Sequence, residues 1–205
     1  MDPSIPVVSL IGKAGSGKTL CAIAAGLEQI LNAKATEQPE DQKKERSYKR
    51  LIVSRPVQPL GKDIGFLPGT MEEKMAPWLM PIQDNLQYLM GDNKATLEMY
   101  MEKGYIEIEA LTYIRGRSIS NAFIIIDEAQ NLTAHEIKTI LTRVGEGTKI
   151  VFTGDIEQID NVYVDSTTNG LTYAVELLKE YDLTGHITLK RGERSNVATL
   201  AAKIL

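Results

Sequence analysis

The chain has little of what several protein classes require. Its 205 residues include a single cysteine, Cys21, so no disulfide framework can form within it, and a reducing compartment is the simplest setting. No apolar run approaches the roughly 18 residues of a membrane-spanning helix. The N-terminus has no basic segment followed by an apolar one, so a secretory leader is not expected. The expected location is the cytoplasm, with no membrane partner. Basic charge is not in excess either: 23 Lys and Arg stand against 27 Asp and Glu, a net charge of −4. Any nucleic-acid surface must therefore be a local patch. What remains is ordinary for one globular domain, with 43% hydrophobic and 24% charged residues and a length that suits a single core. There is no internal repeat and no low-complexity segment. Cys21 sits in an apolar stretch with no activating neighbour, so it reads as a small core residue, not a nucleophile.

Against that background one stretch stands out. Gly12-Lys13-Ala14-Gly15-Ser16-Gly17-Lys18-Thr19 fits the phosphate-binding pattern G-x-x-x-x-G-K-[ST] at every fixed position. Val7-Val8-Ser9-Leu10-Ile11 precedes it and reads as a buried strand; residues 20–31 come after it and read as a helix. Glycines let successive backbone N–H groups turn inward into an anion-binding nest. The helix that starts there aims its positive end at the same point. The expected nucleotide-contacting residues are Gly12, Ala14, Gly15, Ser16, Gly17, Lys18, Thr19 and Leu20. Lys18 reaches the β- and γ-phosphates in such loops, and the Thr19 hydroxyl holds Mg²⁺. The alternative is a Gly-rich turn that binds nothing.

Along the rest of the chain, strands alternate with helices. Residues 32–50 are polar and charged, with Lys43-Lys44-Glu45-Arg46 and Lys49-Arg50. They read as a solvated connection, or alternatively as a basic contact surface. Strands are expected at residues 51–54, 105–108, 122–126, 149–152 and 186–189. Residues 61–69 form a long loop that holds an apolar pair among three glycines, a composition typical of functional loops. Thr70 and Glu73 fit a capping box. Pro77 and Pro81 should break or kink the helix that this box would open. Helices are expected at residues 84–90, 95–102, 133–144, 169–181 and 196–205, the one at 133 opened by a Thr133–Glu136 capping box. Thr112-Tyr113-Ile114-Arg115-Gly116-Arg117-Ser118 reads as a basic loop with an aromatic. Residues 122–126 are the most apolar strand and should lie centrally. The fold class is therefore α/β: one domain, residues 1–205, with a mostly parallel sheet covered by helices on both faces.

Two further motifs carry chemistry. Phe123-Ile124-Ile125-Ile126-Asp127-Glu128-Ala129-Gln130 is an apolar strand ending in two acids. At the carboxyl edge of a parallel sheet Asp127 faces the same crevice as the loop. There it can hold the Mg²⁺ that bridges the β- and γ-phosphates, and Glu128 can deprotonate the attacking water. Val151-Phe152-Thr153-Gly154-Asp155-Ile156-Glu157-Gln158 places Thr153, Asp155 and Gln158 at that edge. Gln158 can bond the γ-phosphate or the water, a role for a neutral donor and acceptor. Strand-end turns without chemistry are the alternatives for both.

Together these segments resemble the nucleotide-binding core of superfamily 1 helicases, and more closely the PhoH family. The finer match lies in Ser54-Arg55-Pro56-Val57, Gly65-Phe66-Leu67-Pro68-Gly69, Tyr113-Ile114-Arg115-Gly116-Arg117, Asp127-Glu128-Ala129-Gln130-Asn131-Leu132, Leu141-Thr142-Arg143-Val144-Gly145 and Phe152-Thr153-Gly154-Asp155. It runs from about Val7 to the C-terminus. Gly192-Glu193-Arg194-Ser195 resembles the version that lies behind an N-terminal PIN ribonuclease domain. The expectation is an excised domain with an added Met, lacking the PIN domain and the adenine-reading segment. The resemblance implies a RecA-like P-loop NTPase fold, with the Thr153 strand between the loop strand and the Asp127 strand. It also implies a ring of copies, six being one candidate size, and action on single-stranded RNA.

Helicases of this type close two RecA-like domains on ATP, the second supplying an arginine, and this chain has room for one. A neighbouring copy would donate that arginine. Arg191 and Arg194 are the first candidates. Arg55, Arg115 and Arg117 are alternatives for that role or for RNA phosphates, and each can equally be a structural ion-pair partner. The expected function is ATP hydrolysis with Mg²⁺, with Lys18, Glu128, Gln158 and an arginine catalytic, and Thr19 and Asp127 holding the metal. Two rivals are a nucleotide-dependent switch with little turnover and, against the Asp127-Glu128 box, a small-molecule kinase.

Overall fold

The computed structural model describes residue 2 and residues 4–31, 48–56 and 71–192, without the side chains of 71–74 and 115. The run 43–46, the loop 61–69, the Thr70 cap, Arg194 and the helix expected at 196–205 lie outside the described residues.

Six strands make one parallel sheet: β1 (Val7–Gly12), β2 (Arg50–Arg55), β3 (Ile106–Ala110), β4 (Ala122–Ile126), β5 (Lys149–Gly154) and β6 (Thr184–Leu189), in the order β3-β2-β4-β5-β1-β6. β5 lies between the loop strand and the Asp127 strand, as the resemblance implies. β4 is buried at every position because the sheet is covered on both sides, the setting in which a strand needs no polar face.

One face carries α1 (Lys18–Leu31), α2 (Met71–Leu89) and α3 (Lys94–Glu102); Ile23, Leu27, Ile82, Leu86 and Leu97 pack there on Leu51, Val53, Phe123 and Ile125. The other carries α4 (Leu111–Arg115), α5 (Ala134–Leu141) and α6 (Gly170–Leu178), which bury Ile114, Ile137, Ile140 and Leu171 on Ile52, Ile124, Ile126 and Phe152. Successive sheet residues alternate between the two cores, as a period of two requires.

Several elements depart from the sequence reading. α1 turns Ala22, Ile23, Gly26, Leu27 and Ile30 inward, so Cys21 is exposed, not a core residue. The helix is apolar nearly all round, so composition does not fix its rotation. Gly26 does: a Cβ there would meet Leu51 Cδ1 at 2.7 Å and Phe123 Cδ1 at 3.0 Å. Cys21, five residues away, lies about 140° around the helix. Gly26→Val should overpack this contact at a cost of about 1–3 kcal/mol, a Tm lower by about 2–12 °C, measurable by thermal unfolding.

α2 runs unbroken through Pro77 and Pro81 and absorbs the helix expected at 84–90. Each proline removes one ladder bond, and both are exposed, so water can serve the freed carbonyls. Asn85 Nδ2 donates to the Pro81 carbonyl at 2.8 Å, which is not one of the two carbonyls the prolines free. The expected basic loop at 112–118 begins as α4, because Leu111 and Ile114 are buried. α5 has its capping box: Thr133 Oγ1 accepts from Glu136 N–H, and Thr133 N–H donates to Glu136 Oε2 at 2.8 Å. It stops at Leu141, short of residue 144, because Val144 forms a parallel bridge with Ile119. α6 is shorter than residues 169–181; Asn169 caps its start and the Thr184 hydroxyl donates to Leu178 O at 2.7 Å.

Candidate active site

All six described strands are parallel, so their carboxyl ends share one edge, and ligands of open α/β sheets bind there. The phosphate loop leaves β1 at that edge and enters α1. Gly15 and Gly17 take φ of 76° and 80°, a region that side chains disfavour, and this turns the loop back over the helix start. Gly12 is needed for a different reason: a Cβ there would lie 2.7 Å from Leu189 O and 2.8 Å from Ser16 Oγ. Lys18 Nζ folds over the loop and donates to the carbonyls of Gly12 at 2.6 Å and Lys13 at 3.0 Å.

Asp127 ends β4 and is 4% exposed. Its Oδ1 accepts from Thr19 Oγ1 at 2.7 Å and from Thr153 Oγ1 at 2.6 Å. One carboxylate oxygen thus joins the loop, the acidic box and the end of β5. Glu128 comes next in the left-handed region, φ 53°, at the turn into the 3-10 segment Ala129–Asn131. Its carboxylate is held on both oxygens, by Arg55 Nη2 at 3.3 Å and by Gln130 Nε2 at 2.7 Å.

A cleft of about 270 Å³ opens between these parts. Ala14, Gly15, Gly17, Lys18, Thr19 and Leu20 line one side; Glu128, Asp155 and Gln158 line the other, with Asn85 from α2. The structure thus brings the loop, Glu128 and Gln158 to one cavity. Gly12 lies buried behind the loop, and Ser16 Oγ is buried there with no hydrogen-bond partner. Lys13 and Glu157 pair across the rim at 3.0 Å, both well exposed, a contact worth little on its own.

The residues fit a magnesium–nucleotide. Two hydroxyls converge on one carboxylate, an ammonium sits over a glycine nest, and the orphaned Ser16 hydroxyl lies within that loop. Thr19 Oγ1 and the Asp127 carboxylate are the side-chain oxygens placed where such a metal would need donors. Among the described residues no group of three or more His, Cys, Asp or Glu forms a metal cage. Mg²⁺ is ordinarily bound by one or two protein groups plus substrate phosphates.

The arginines divide. Arg55 is engaged with Glu128. Arg117 is committed at the sheet edge, to Glu107 Oε2 at 2.8 Å and Glu109 Oε1 at 2.7 Å, and Arg50 also reaches Glu107, at 2.7 Å. Burial pushes the Glu107 carboxyl up, but hydrogen bonds from Glu109, Arg117 and Arg50 hold it below its ordinary value; burial and the Glu107 hydrogen bond raise Glu109. Arg117 is therefore an ion-pair arginine. Arg191 is exposed and stands one residue before Gly192, where a Cβ would lie 3.4 Å from Ala14 O. The chain after β6 thus returns to its own phosphate loop.

Sequence reasoning missed three residues at the site: Arg55 as a partner of Glu128, Asn85, and Gln130 as a bonded neighbour of the acids. Arg55 at a strand end and Gln130 two residues past Glu128 carried a signal. Asn85 carried none.

A family model described as "PhoH-like protein" matches residues 3–204. The chain is 55% identical to Protein PhoH2 of Bacillus subtilis (strain 168) over 203 residues, 98% of this chain and 43% of that protein. It is 39% identical to Protein PhoH2 of Mycolicibacterium smegmatis over 206 residues, 100% of this chain and 44% of that one. The chain spans less than half the length of these relatives. Among solved structures it resembles the large terminase of a thermophilic bacteriophage, with a TM-score of 0.50 and 11% identity, over 97% of this chain and 44% of that one. That likeness concerns the fold, a single RecA-like α/β domain. No helix of the described residues is long and apolar enough to cross a membrane.

Proposed function

Because the chain belongs to the PhoH-like protein family, we propose that it binds ATP with Mg²⁺ and hydrolyses it, as a ring of copies acting on single-stranded RNA. One atom carries the catalytic part of this reading. Asp127 Oδ1 accepts from Thr19 of the loop and from Thr153 of β5, which makes three sequence motifs one hydrogen-bonded unit beside the cleft that Glu128 and Gln158 line.

In this reading Lys18 exchanges its two carbonyl partners for the β- and γ-phosphate oxygens. The loop N–H groups and the start of α1 receive the remaining phosphate charge. Thr19 and Asp127 would hold Mg²⁺, and the ion would supply neutralisation of phosphate charge. Glu128 takes the proton of the attacking water, and Gln158 bonds the water or the γ-phosphate. An arginine from a neighbouring copy completes the site, with Arg194 and Arg191 as donors; the position of Arg191 beside its own loop also suits it to act within one chain. Tyr113, 56% exposed on α4, offers a stacking surface for an RNA base. An accompanying PIN ribonuclease domain in a parent protein is consistent with the unmatched length of the PhoH2 relatives.

The test is phosphate release over a range of protein concentrations, with and without single-stranded RNA, beside a measured oligomer mass. The rate per chain should rise with concentration and with RNA. A flat rate near zero favours the switch reading, to which the double engagement of the Glu128 carboxylate by Arg55 and Gln130 lends support. Transfer to an acceptor with no free phosphate would make the protein a kinase.

A further inference from the structure

Gln130 lies two residues past Glu128, is fully buried, and has no role in the mechanism above. Its side-chain amide nonetheless makes three hydrogen bonds, with both donors used. Nε2 donates to Glu128 Oε2 at 2.7 Å and to the backbone carbonyl of Gln158 at 2.8 Å, and Oε1 accepts from the Asp155 N–H at 3.1 Å. The amide cannot be turned over. Reversed, its oxygen would face a carboxylate and a carbonyl, and its NH₂ would face an N–H. The surrounding packing is cut to admit it: a Cβ on Gly154 would stand 2.8 Å from Gln130 Oε1 and 2.5 Å from Leu171 Cδ2.

Glu128 and Gln158 lie beyond different strands, β4 and β5, and Gln130 is a side chain bonded to both segments. We infer that Gln130 is a positioning residue that ties the Glu128 carboxylate to the Asp155–Gln158 turn, so that the proton acceptor and the phosphate-sensing side chain are set together. It is buried behind the cleft and acts through Glu128 and Gln158, which line it. When the turn shifts toward a γ-phosphate, one oxygen of Glu128 shifts with it, while Arg55 holds the other. This rests on the hydrolytic reading of the cleft.

The experiment uses the full chain and four variants: Gln130→Met, Gln158→Ala, their double, and Glu128→Gln as the control on the reading itself. Methionine keeps the volume and removes the donors. Misplacing a reacting group by about an ångström costs on the order of 100-fold. Gln130→Met should therefore lower kcat about 10- to 100-fold, with the Kd of a non-hydrolysable ATP analogue within about threefold of the unsubstituted protein. The double should be no slower than the slower single variant, the non-additivity of a shared unit. Without nucleotide, amide exchange across residues 155–158 should quicken, because the Asp155 N–H loses its acceptor. If Gln130→Met folds poorly, Gln130→Asn keeps an amide one methylene short and should lose the same kcat.

An unchanged kcat in the folded variant overturns the inference, as do losses that multiply in the double. If Glu128→Gln hydrolyses ATP at the unsubstituted rate, the hydrolytic reading falls instead. An inactive Glu128→Gln beside a fully active Gln130→Met defeats the coupling alone.

Discussion

Lys18→Ala should weaken nucleotide binding by at least an order of magnitude while leaving the fold intact. Lys18 Nζ is satisfied by the carbonyls of Gly12 and Lys13. Those acceptors belong to the loop that a phosphate would enter, so the ammonium already stands at the mouth of the nest. Truncating one partner of a hydrogen-bonded charge pair costs about 2–5 kcal/mol, or ~30- to 4,000-fold in Kd. The side chain contributes little to packing and is half-buried, so the unfolding midpoint should stay within about 2 °C for a surface change of ±0.5 kcal/mol. Titration with a fluorescent ATP analogue measures the first effect and thermal unfolding the second. Binding within twofold of the unsubstituted protein would refute the phosphate assignment.

Glu128→Gln is expected to separate binding from turnover. General base catalysis contributes about 10²- to 10⁴-fold, and an amide cannot take a proton from water at neutral pH. Single-turnover phosphate release should fall by that factor. Affinity should hold or tighten, because one negative charge leaves the wall opposite the phosphates. The substitution is not neutral for its neighbours. The carboxylate accepts from both Arg55 and Gln130, and an amide has one oxygen to offer them. The bond given up should lower stability by about 1 kcal/mol. Retention of the full rate would remove Glu128 as the base.

Much of the fold is legible in the sequence because it depends on local pattern. The apolar run of residues 122–126 between turn signals can only be an interior strand, and Thr133 with Glu136 need only each other. The phosphate loop, the acid pair after β4 and the Asp155–Gln158 turn are legible because each is a fixed spacing behind an apolar strand. What escapes depends on partners distant in sequence. Arg55 and Glu128 are 73 residues apart, and they meet because β2 and β4 are neighbours in register. Arg117 reads equally as a finger, an RNA contact or an ion-pair arginine until β3 brings Glu107 and Glu109 to it. Cys21 reads as core from its neighbours, but the face of α1 is chosen by Gly26 against the sheet and not by composition. The prolines of α2 read as breaks, yet on an exposed helix face they only cost ladder bonds that water can replace.

The strand order also sets a timetable. β1 carries the phosphate loop near the start of this sequence, yet its two neighbours are β5 and β6, residues 149–154 and 184–189. A chain emerging from the ribosome therefore presents this apolar strand and glycine-rich loop without either of its sheet neighbours until residues 149–154 and then 184–189 appear. Pairings of such long sequence separation close slowly. They also leave intermediates with unpaired strand edges. The anion nest can be held in shape only after β1 is inserted between those two late strands. A chain that stops before residue 154 has the complete phosphate-binding motif and no site.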